Sequence, residues 1–270
     1  MDTIVPYERR PGRGMRELVD MWSNTRMVVL TAMCASLYAA VLIPFMVVPL
    51  IPGLTHFRPA NALPIVCSFL FGPAAAWGAA FGNLIGDFFT GLGPGDLFGF
   101  VANFLYALVP YRLWRACTTA DPLPRTLGAW FLLLGIITTA SMLCAATVGF
   151  GLQLLGFVPF AVLANVVLVN NLVTSALLAP LLLAVLYPRV RRARLLYGDI
   201  LGAAPRAPRW RRFAGVALVV TGTGLAFVLG NLASGGWLDP STLAALSRNL
   251  RFVVLVLPAL ALGILGLALL

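Results

Sequence analysis

The chain has 270 residues, of which 60% are hydrophobic and 10% are charged, and its formal net charge is +10. A soluble domain has roughly 45–50% apolar and about 25% charged residues, so this composition excludes an ordinary soluble protein and predicts an integral membrane protein. All of the basic side chains are arginine. In a soluble protein that excess would suggest a nucleic-acid partner, but here no nucleic acid is expected because the arginines follow membrane topology.

Eight apolar segments predict helices buried in the membrane. A segment of about 20 apolar residues crosses the roughly 30 Å hydrocarbon layer as a helix. The second and third segments are short and meet at Gly72 and Pro73, which predicts a tight helical hairpin. The eight segments are 27–50, 60–71, 73–89, 97–114, 127–155, 157–187, 213–233 and 252–270.

The arginines are distributed unevenly between the predicted spans. Five precede the first span, three lie at the end of the fourth span or between it and the fifth, and eight lie between the sixth and seventh. With the N-terminus in the cytoplasm, all of these fall on the cytoplasmic side, and only Arg58, Arg248 and Arg251 fall outside. The positive-inside rule expects this asymmetry, so we expect a multi-pass protein with a cytoplasmic N-terminus.

These features divide the chain into four parts. We expect a cytoplasmic N-terminal segment (1–26), a six-helix membrane body (27–188), an arginine-rich cytoplasmic linker (189–212) and a two-helix transmembrane appendage (213–270). The cysteines stand singly, and His56 has no neighbouring carboxylate or thiol in the sequence. We therefore expect no disulfide framework, no metal site and no cofactor.

The third span contains GNLIGDFF, in which Asn83 and Asp87 are one helical turn apart in an otherwise apolar run. An acid inside a membrane span is costly and usually marks a pathway or a site. Asp87 lies roughly 21 Å along the span from its inner end, in the outer third. It either contacts a ligand or bonds to Asn83 as a structural clasp, and a proton relay is a third alternative.

Other polar and aromatic side chains reach a similar depth. The loop after the first span and the outer halves of the fourth and sixth spans contribute amides, an arginine and aromatic rings. A few convergent hydrogen-bonding groups in an apolar wall are typical of a site for a small polar aromatic ligand, although each amide could instead join two helices. The candidate site residues are Arg58, Asn61, Asn83, Asp87, Phe100, Asn103, Tyr106, Phe160 and Asn165.

The first span carries two adjacent ridges of small residues. Ala32, Ser36 and Ala40 are spaced four apart, and Ala35 and Ala39 form a second frame beside them. Such ridges permit close contact between helices in a membrane. The sequence alone leaves both frames open.

Motifs for enzyme chemistry are missing from the sequence. Without any lysine there is no Walker A motif, so we expect no ATP hydrolysis of that kind by this chain. The membrane segments also lack an HExxH motif and a Ser-His-Asp set. We therefore expect that the chain is not an enzyme.

The stretch 58–114 resembles a known family. It contains RPANALP, then FLFGPAAAWGAAFGNLIGDFF, then GPGDLFGFVANFLYALVPYRLW. With these motifs, residues 27–188 resemble the S component of an energy-coupling factor (ECF) transporter, the membrane subunit that captures a vitamin or related micronutrient. The resemblance implies an all-α, six-helix bundle with the ligand pocket in its outer half and the loop after the first helix as a lid. The two C-terminal transmembrane helices are additional to that bundle.

The resemblance also implies partners and roles. A membrane T subunit and two ABC-type ATPases on other chains would drive uptake through the inner (cytoplasmic) membrane of a prokaryote. The aromatic candidates would stack on a ring of the vitamin-like ligand, and the polar candidates would hold its edge. Small residues of the first helix would contact the T subunit, and the candidates here are Ala32, Ala35, Ser36 and Ala39.

Two other functions fit the sequence. The chain could be an autonomous ion- or proton-coupled carrier of small molecules, with Asp87 as the coupling group. It could also be a membrane interaction or scaffold protein that recruits partners through its two-helix appendage. Uptake into liposomes without ATP would favour the carrier, and the absence of any small ligand would favour the scaffold.

Overall fold

A computed structural model of the protein describes residues 14–47, 49–51, 55–56, 58–202, 206–238 and 247–270. This part of the chain is almost entirely helical, and six of its helices are long and apolar enough to cross a membrane. The helices are α1 (Glu17–Asp20), α2 (Thr25–Leu42), α3 (Ala62–Phe71), α4 (Pro73–Thr90), α5 (Asp96–Cys117), α6 (Leu127–Leu154), α7 (Phe160–Arg192), α8 (Tyr197–Leu201), α9 (Arg209–Ser234) and α10 (Arg248–Leu269).

Local sequence signals set several helix ends. The Asn24 side chain accepts from the backbone N–H groups of Arg26 and Met27 and so caps the start of α2. The turn between α3 and α4 is made at Gly72, whose φ of +51° suits glycine. Pro73 then opens α4, where its missing N–H costs nothing.

The long helices alternate in direction, which gives the bundle two distinct ends. At one end α2 begins, α5 and α7 finish and α9 begins; we call it the arginine-rich end. At the other end a short antiparallel hairpin of β1 (Pro49–Ile51) and β2 (Thr55–His56) connects α2 to α3; we call it the hairpin end. The chain from the hairpin enters α3 through a 3-10 turn at Pro59–Asn61.

Glycines bring α4 very close to α2. A Cβ placed on Gly78 would lie 2.4 Å from the Cys34 Cβ, and one on Gly82 would lie 2.8 Å from the Ala35 backbone oxygen. Only glycine fits such contacts, because any side chain would overlap the neighbouring helix. The α2–α4 pair is therefore held at nearly backbone-to-backbone distance, beside α5.

The two C-terminal helices form a tight antiparallel pair that joins the core of the bundle. A Cβ on Gly222 of α9 would lie 2.5 Å from the Gly263 backbone nitrogen of α10. The Phe252 ring of α10 stacks on Phe150 of α6 with a centroid distance of 5.8 Å. At the arginine-rich end, Arg112 Nη1 donates to the Leu267 carbonyl at 3.1 Å. The pair thus packs against the six-helix body along its length.

The predicted fold class is confirmed: an all-α membrane bundle of six helices like an ECF S component, with two further C-terminal helices. The observed helix bounds differ from the predicted segments mainly in two regions. The first predicted span runs to residue 50, but α2 ends at Leu42 and is followed by a 3-10 turn (Ile43–Val47) and by β1. The sixth predicted span continues as α7 to Arg192, and the predicted linker contains the short helix α8. Residues 1–13 of the predicted N-terminal segment, 203–205 of the linker and 239–246 of the appendage lie outside the described residues.

Candidate functional site

The acid and amide of GNLIGDFF are paired on α4. Asn83 Nδ2 donates to Asp87 Oδ2 at 2.6 Å, as the spacing of one helical turn allows. Both side chains are buried, with 2% and 7% of their surface exposed. A buried carboxylate in a membrane bundle must be compensated by donors and opposite charge, so its surroundings decide what the pair can do.

Arg58 supplies that compensation from the segment between the hairpin and α3. Its Nη1 donates to Asn83 Oδ1 at 2.9 Å, and its guanidinium interacts electrostatically with Asp87. Its backbone N–H points at Asn170 Oδ1 of α7, at 3.4 Å. The buried Nε has no hydrogen-bond partner in the described part of the chain. Arg58 therefore ties the segment before α3 to α4 and α7, and its Nε remains without a hydrogen-bond partner among the described residues.

Tyr38 of α2 lies between two amides. Its buried hydroxyl is 2.8 Å from Asn61 Oδ1 and 3.1 Å from Asn103 Oδ1. A tyrosine hydroxyl has one proton and donates to only one of the two oxygens at a time. Asn103 Nδ2 is already engaged with the Gly99 carbonyl at 2.9 Å. One amide oxygen therefore keeps spare capacity to accept a hydrogen bond.

Asn61 also connects this group to α7. Its Nδ2 donates to Asn171 Oδ1 at 2.5 Å, and its carbonyl accepts from Ser175 Oγ at 3.2 Å. Ser175 Oγ is in turn 2.7 Å from the Tyr106 hydroxyl of α5. Hydrogen bonds thus link α2, the start of α3, α5 and α7 in one buried network.

A glycine on α5 gives the acid and amide their space. A Cβ on Gly99 would lie 3.2 Å from Asn83 Nδ2 and 3.8 Å from Asp87 Oδ2. The α5 backbone therefore approaches the pair closely, so that α4 and α5 present polar groups to one region. We call the set of Tyr38, Arg58, Asn61, Asn83, Asp87, Asn103, Asn170 and Asn171 the polar cluster.

The sequence of the helical body matches a known family of transporters. The family model of QueT transporters matches residues 28–188, which is more than half of the chain. The chain belongs to the QueT transporter family. No significant match is found among curated proteins or among solved structures. QueT transporters are ECF S components for a queuosine precursor, so the resemblance read from residues 58–114 is confirmed.

In this QueT family member, most of the predicted site residues lie together. Arg58, Asn61, Asn83, Asp87 and Asn103 belong to the polar cluster and come from three different helical regions. Tyr106 joins them through Ser175. Phe100 is half-buried and packs edge-on against Phe81 with a centroid distance of 5.5 Å.

Phe160 and Asn165 are placed elsewhere. The Phe160 ring packs against Phe227 of α9 and Phe252 of α10. Asn165 is exposed, and its Nδ2 donates to Asn231 Oδ1 of α9. Both residues lie on the face of α7 that meets the C-terminal pair. Depth alone does not determine the face of a helix on which a residue lies.

Four residues of the network were not among the candidates. Tyr38 is a single tyrosine in an apolar helix, and only its position near the hairpin end of α2 could have suggested it. Asn170, Asn171 and Ser175 lie on α7 and bond to the candidates Arg58, Asn61 and Tyr106. The adjacent amides of Asn170 and Asn171 were a usable signal, because paired amides in a span need partners.

The structure separates the two ridges of small residues on α2. Ala35 and Ala39 are buried, with 5% and 4% exposure, and face the glycines of α4. Ala32 and Ser36 are exposed on the other side of α2, beside Met33. The frame of Ala35 and Ala39 therefore packs within the molecule, and the frame of Ala32 and Ser36 is open to contact from outside.

Proposed function

We propose that this protein captures a queuosine precursor, a deazapurine base, in the polar cluster for ATP-driven uptake. The QueT family supports a transporter of a micronutrient. The single observation that carries the proposal is the buried convergence of one carboxylate, one guanidinium, one tyrosine hydroxyl and several amides from five regions of the chain. Clefts with a few convergent polar groups in an apolar wall are typical small-molecule sites.

The chemistry of the cluster suits the edge of a nitrogen heterocycle. Asp87 accepts hydrogen bonds, and a carboxylate can accept two from adjacent N–H groups. Asn61 and Asn103 share the single proton of Tyr38, so one of their oxygens is available to a ligand donor. The unused Nε of Arg58 is available to a ligand oxygen or ring nitrogen. Together these groups offer both acceptors and a donor to one planar edge.

Arg58 also connects ligand capture with closure of the lid. It directly follows the β1–β2 hairpin and is bonded to Asn83 and Asn170. A ligand that contacts Arg58 and Asp87 binds the closed arrangement better than an open one. That difference in affinity is what shifts a protein towards the closed state. We therefore assign the lid to the segment from β1 to Arg58.

Partner subunits would supply the energy for transport. The chain has no lysine and hence no Walker A motif, so the ATPases belong to other chains and this chain is not an enzyme. The exposed frame of Ala32 and Ser36 on α2 suits close packing with a membrane T subunit. The buried frame of Ala35 and Ala39 is already used by α4.

We also propose the orientation in the membrane. The arginine-rich end would lie in the cytoplasm and the hairpin end outside, as the positive-inside rule expects. The polar cluster would then open to the exterior of the prokaryotic inner membrane. The four-part division of the chain at 26, 188 and 212 stays part of this proposal, with the C-terminal pair as a packed support for α5, α6 and α7.

Binding to the purified protein tests this function. Isothermal titration of a queuosine precursor base in detergent, without partners or ATP, should show saturable binding at one site. Proteoliposomes containing this chain alone should show no uptake under a proton gradient. Uptake in that assay would support the autonomous carrier, with Asp87 as its coupling group.

A further inference from the structure

A cavity at the arginine-rich end is not used by the proposed substrate site. Its volume is about 350 Å³, which lies in the range of small-molecule sites. It is enclosed by the end of α5, the following loop at 118–122, the end of α7 and the short helix α8. It lies at the opposite end of the bundle from the hairpin and its lid.

The walls of the cavity are largely aromatic. Tyr111, Trp114, Tyr187 and Tyr197 line it. The Tyr197 ring sits on the turn between α3 and α4, where a Cβ on Gly72 would be 2.8 Å from its Cγ. α8 is therefore seated firmly against the bundle. Tyrosine and tryptophan at the end of membrane helices are typical of the level of the lipid headgroups.

Two guanidiniums on one side of the cavity share a single carboxylate. Glu17 is buried, and its Oε1 is 2.8 Å from Arg112 Nη2. Its Oε2 is 3.5 Å from Arg115 Nη1, and Arg115 lines the cavity. One negative charge cannot neutralise two positive ones, so this pair of arginines leaves an excess of positive charge.

Further arginines converge on the same end of α5 with neutral partners. Arg206 Nη2 donates to the carbonyls of Arg115 and Thr118, and Arg212 Nη1 donates to the Ala116 carbonyl at 3.1 Å. Neither has a carboxylate within 4.0 Å in the described ranges. Capping of the helix end accounts for part of this arrangement. The other N–H groups of the Arg206 guanidinium have no anionic partner among the described residues.

The carboxylates around the cavity do not balance these charges. Asp121 is bonded to Arg191 and to the Tyr187 hydroxyl, and Asp199 also lines the wall. The cavity lining holds two arginines, Arg115 and Arg206, and three carboxylates, those of Glu17, Asp121 and Asp199. Arg112 and Arg191 lie outside the lining and pair with Glu17 and Asp121. With these partners included, four guanidiniums stand against three carboxylates, an excess of one positive charge, and Arg212 adds a further guanidinium at the same end of α5.

We propose that this cavity binds the phosphate group of an anionic ligand, with the headgroup of an acidic phospholipid as its source. The planar fork of arginine matches phosphate oxygens in pairs. Arg115 and Arg206 supply the charge, and the hydroxyls of Thr118 and Thr119 line the same space. Basic pockets between membrane helices at the headgroup level are suited to acidic lipids. This site is independent of the substrate assigned to the polar cluster.

Lipid retention by matched variants tests the proposal. Arg206→Gln removes a charge from the cavity, and Arg209→Gln removes an equal, exposed charge from the start of α9, outside the cavity lining. The full chain would be reconstituted in phosphatidylcholine with and without phosphatidylglycerol. Retained lipid would be counted by native mass spectrometry, and the unfolding temperature would be recorded. A parallel arm would add soluble glycerol phosphate to phosphatidylcholine samples.

We expect the wild type and Arg209→Gln to retain phosphatidylglycerol and to be stabilised by it, and Arg206→Gln to retain about fivefold less, as loss of a charge-assisted contact implies. Stabilisation of the wild type by glycerol phosphate alone, lost in Arg206→Gln, would support a soluble phosphate source for the same site. Equal retention by the wild type and Arg206→Gln would overturn the proposal. An equal loss of retained phosphatidylglycerol in Arg206→Gln and Arg209→Gln would also overturn it, because lipid would then be attracted by the general surface charge and not by the cavity.

Discussion

Arg58 and Asn83 are joined by a hydrogen bond of 2.9 Å between the guanidinium Nη1 and the amide oxygen. This contact fastens the segment that follows the hairpin to the middle of α4. Because Asn83 also donates to Asp87, two hydrogen bonds connect this segment to the buried carboxylate. A ligand bound at Asp87 would therefore be coupled to the segment that we propose as the lid.

Arg58→Lys should weaken binding of a queuosine precursor about tenfold, equivalent to roughly 1.4 kcal/mol. Lysine keeps the charge, but an ammonium cannot reproduce the planar fork that reaches Asn83 and leaves Nε for a ligand. Isothermal titration measures the change. Arg125→Lys, in the loop before α6, is the matched control and should bind like the wild type. Unchanged affinity in Arg58→Lys would remove Arg58 from the site.

Asp87→Asn should lower ligand affinity by at least about tenfold while the protein still purifies as a single species. An amide offers one acceptor oxygen where the carboxylate offers two, and it loses the attraction to Arg58. Asp87→Ala and Asn103→Ala should weaken binding similarly. Asp20→Asn, at the opposite end of the bundle, controls for a simple change of charge. Wild-type ligand affinity in Asp87→Asn would show that the carboxylate serves only as a structural partner of Asn83.

Tyr38→Phe should reduce both stability and affinity by a smaller amount, about 1 kcal/mol for the lost hydroxyl bond. The ring still fills its place, but Asn61 and Asn103 lose the donor between them. Tyr187→Phe removes a hydroxyl bond at the arginine-rich end and should leave affinity unchanged. Equal ligand affinities in the two variants would mean that Tyr38 does not position the amides.

Ala32→Leu and Ser36→Leu should prevent assembly with the T subunit without changing ligand affinity. Both residues are exposed on α2, so a leucine there disturbs an external contact and leaves the bundle intact. Co-purification with the T subunit and ligand titration measure the two effects separately. Val29→Leu, on the same exposed side, is the control. Normal assembly in both ridge variants would place the T subunit on another face.

A chain ending after Arg189 should bind ligand with unchanged affinity per folded molecule but should be less stable. No residue of the polar cluster comes from α9 or α10. Removal of the C-terminal pair exposes Phe150 and Phe160 and removes the hydrogen bond from Arg112 to Leu267. Loss of that bond to a charged group alone should lower the free energy of unfolding by about 1.5–3 kcal/mol. Thermal unfolding and titration of the folded fraction measure both quantities. A folded truncation without binding would bring the C-terminal helices into the site.

Span order predicted which polar residues lie at one level of the bundle, but it did not predict the faces of their helices. Span order and the positive-inside rule place Asn61, Asn83, Asp87 and Asn103 at one level, and the structure joins them. Asn165 has the same depth, yet it faces Asn231 of α9. Its direction depends on how α7 packs between the body and the C-terminal pair. That packing is a tertiary property that residue spacing does not contain.

The small-residue ridges illustrate the same limit. Ala32 with Ser36 and Ala35 with Ala39 are equivalent frames in sequence. The glycines of α4 decide between them, because Gly78 and Gly82 admit the α2 backbone on one side only. This contact joins glycines of α4 to small residues of α2, so the sequence of α2 alone could not reveal which of its frames is buried.

The most direct measurement is the affinity of the purified chain, without ATP or partner subunits, for a queuosine precursor base, compared between the wild type, Asp87→Asn and Asp20→Asn. We predict saturable one-site binding by the wild type and Asp20→Asn, and a loss of about tenfold or more in Asp87→Asn. Absence of binding by the wild type, or equal affinity in all three proteins, would contradict the account.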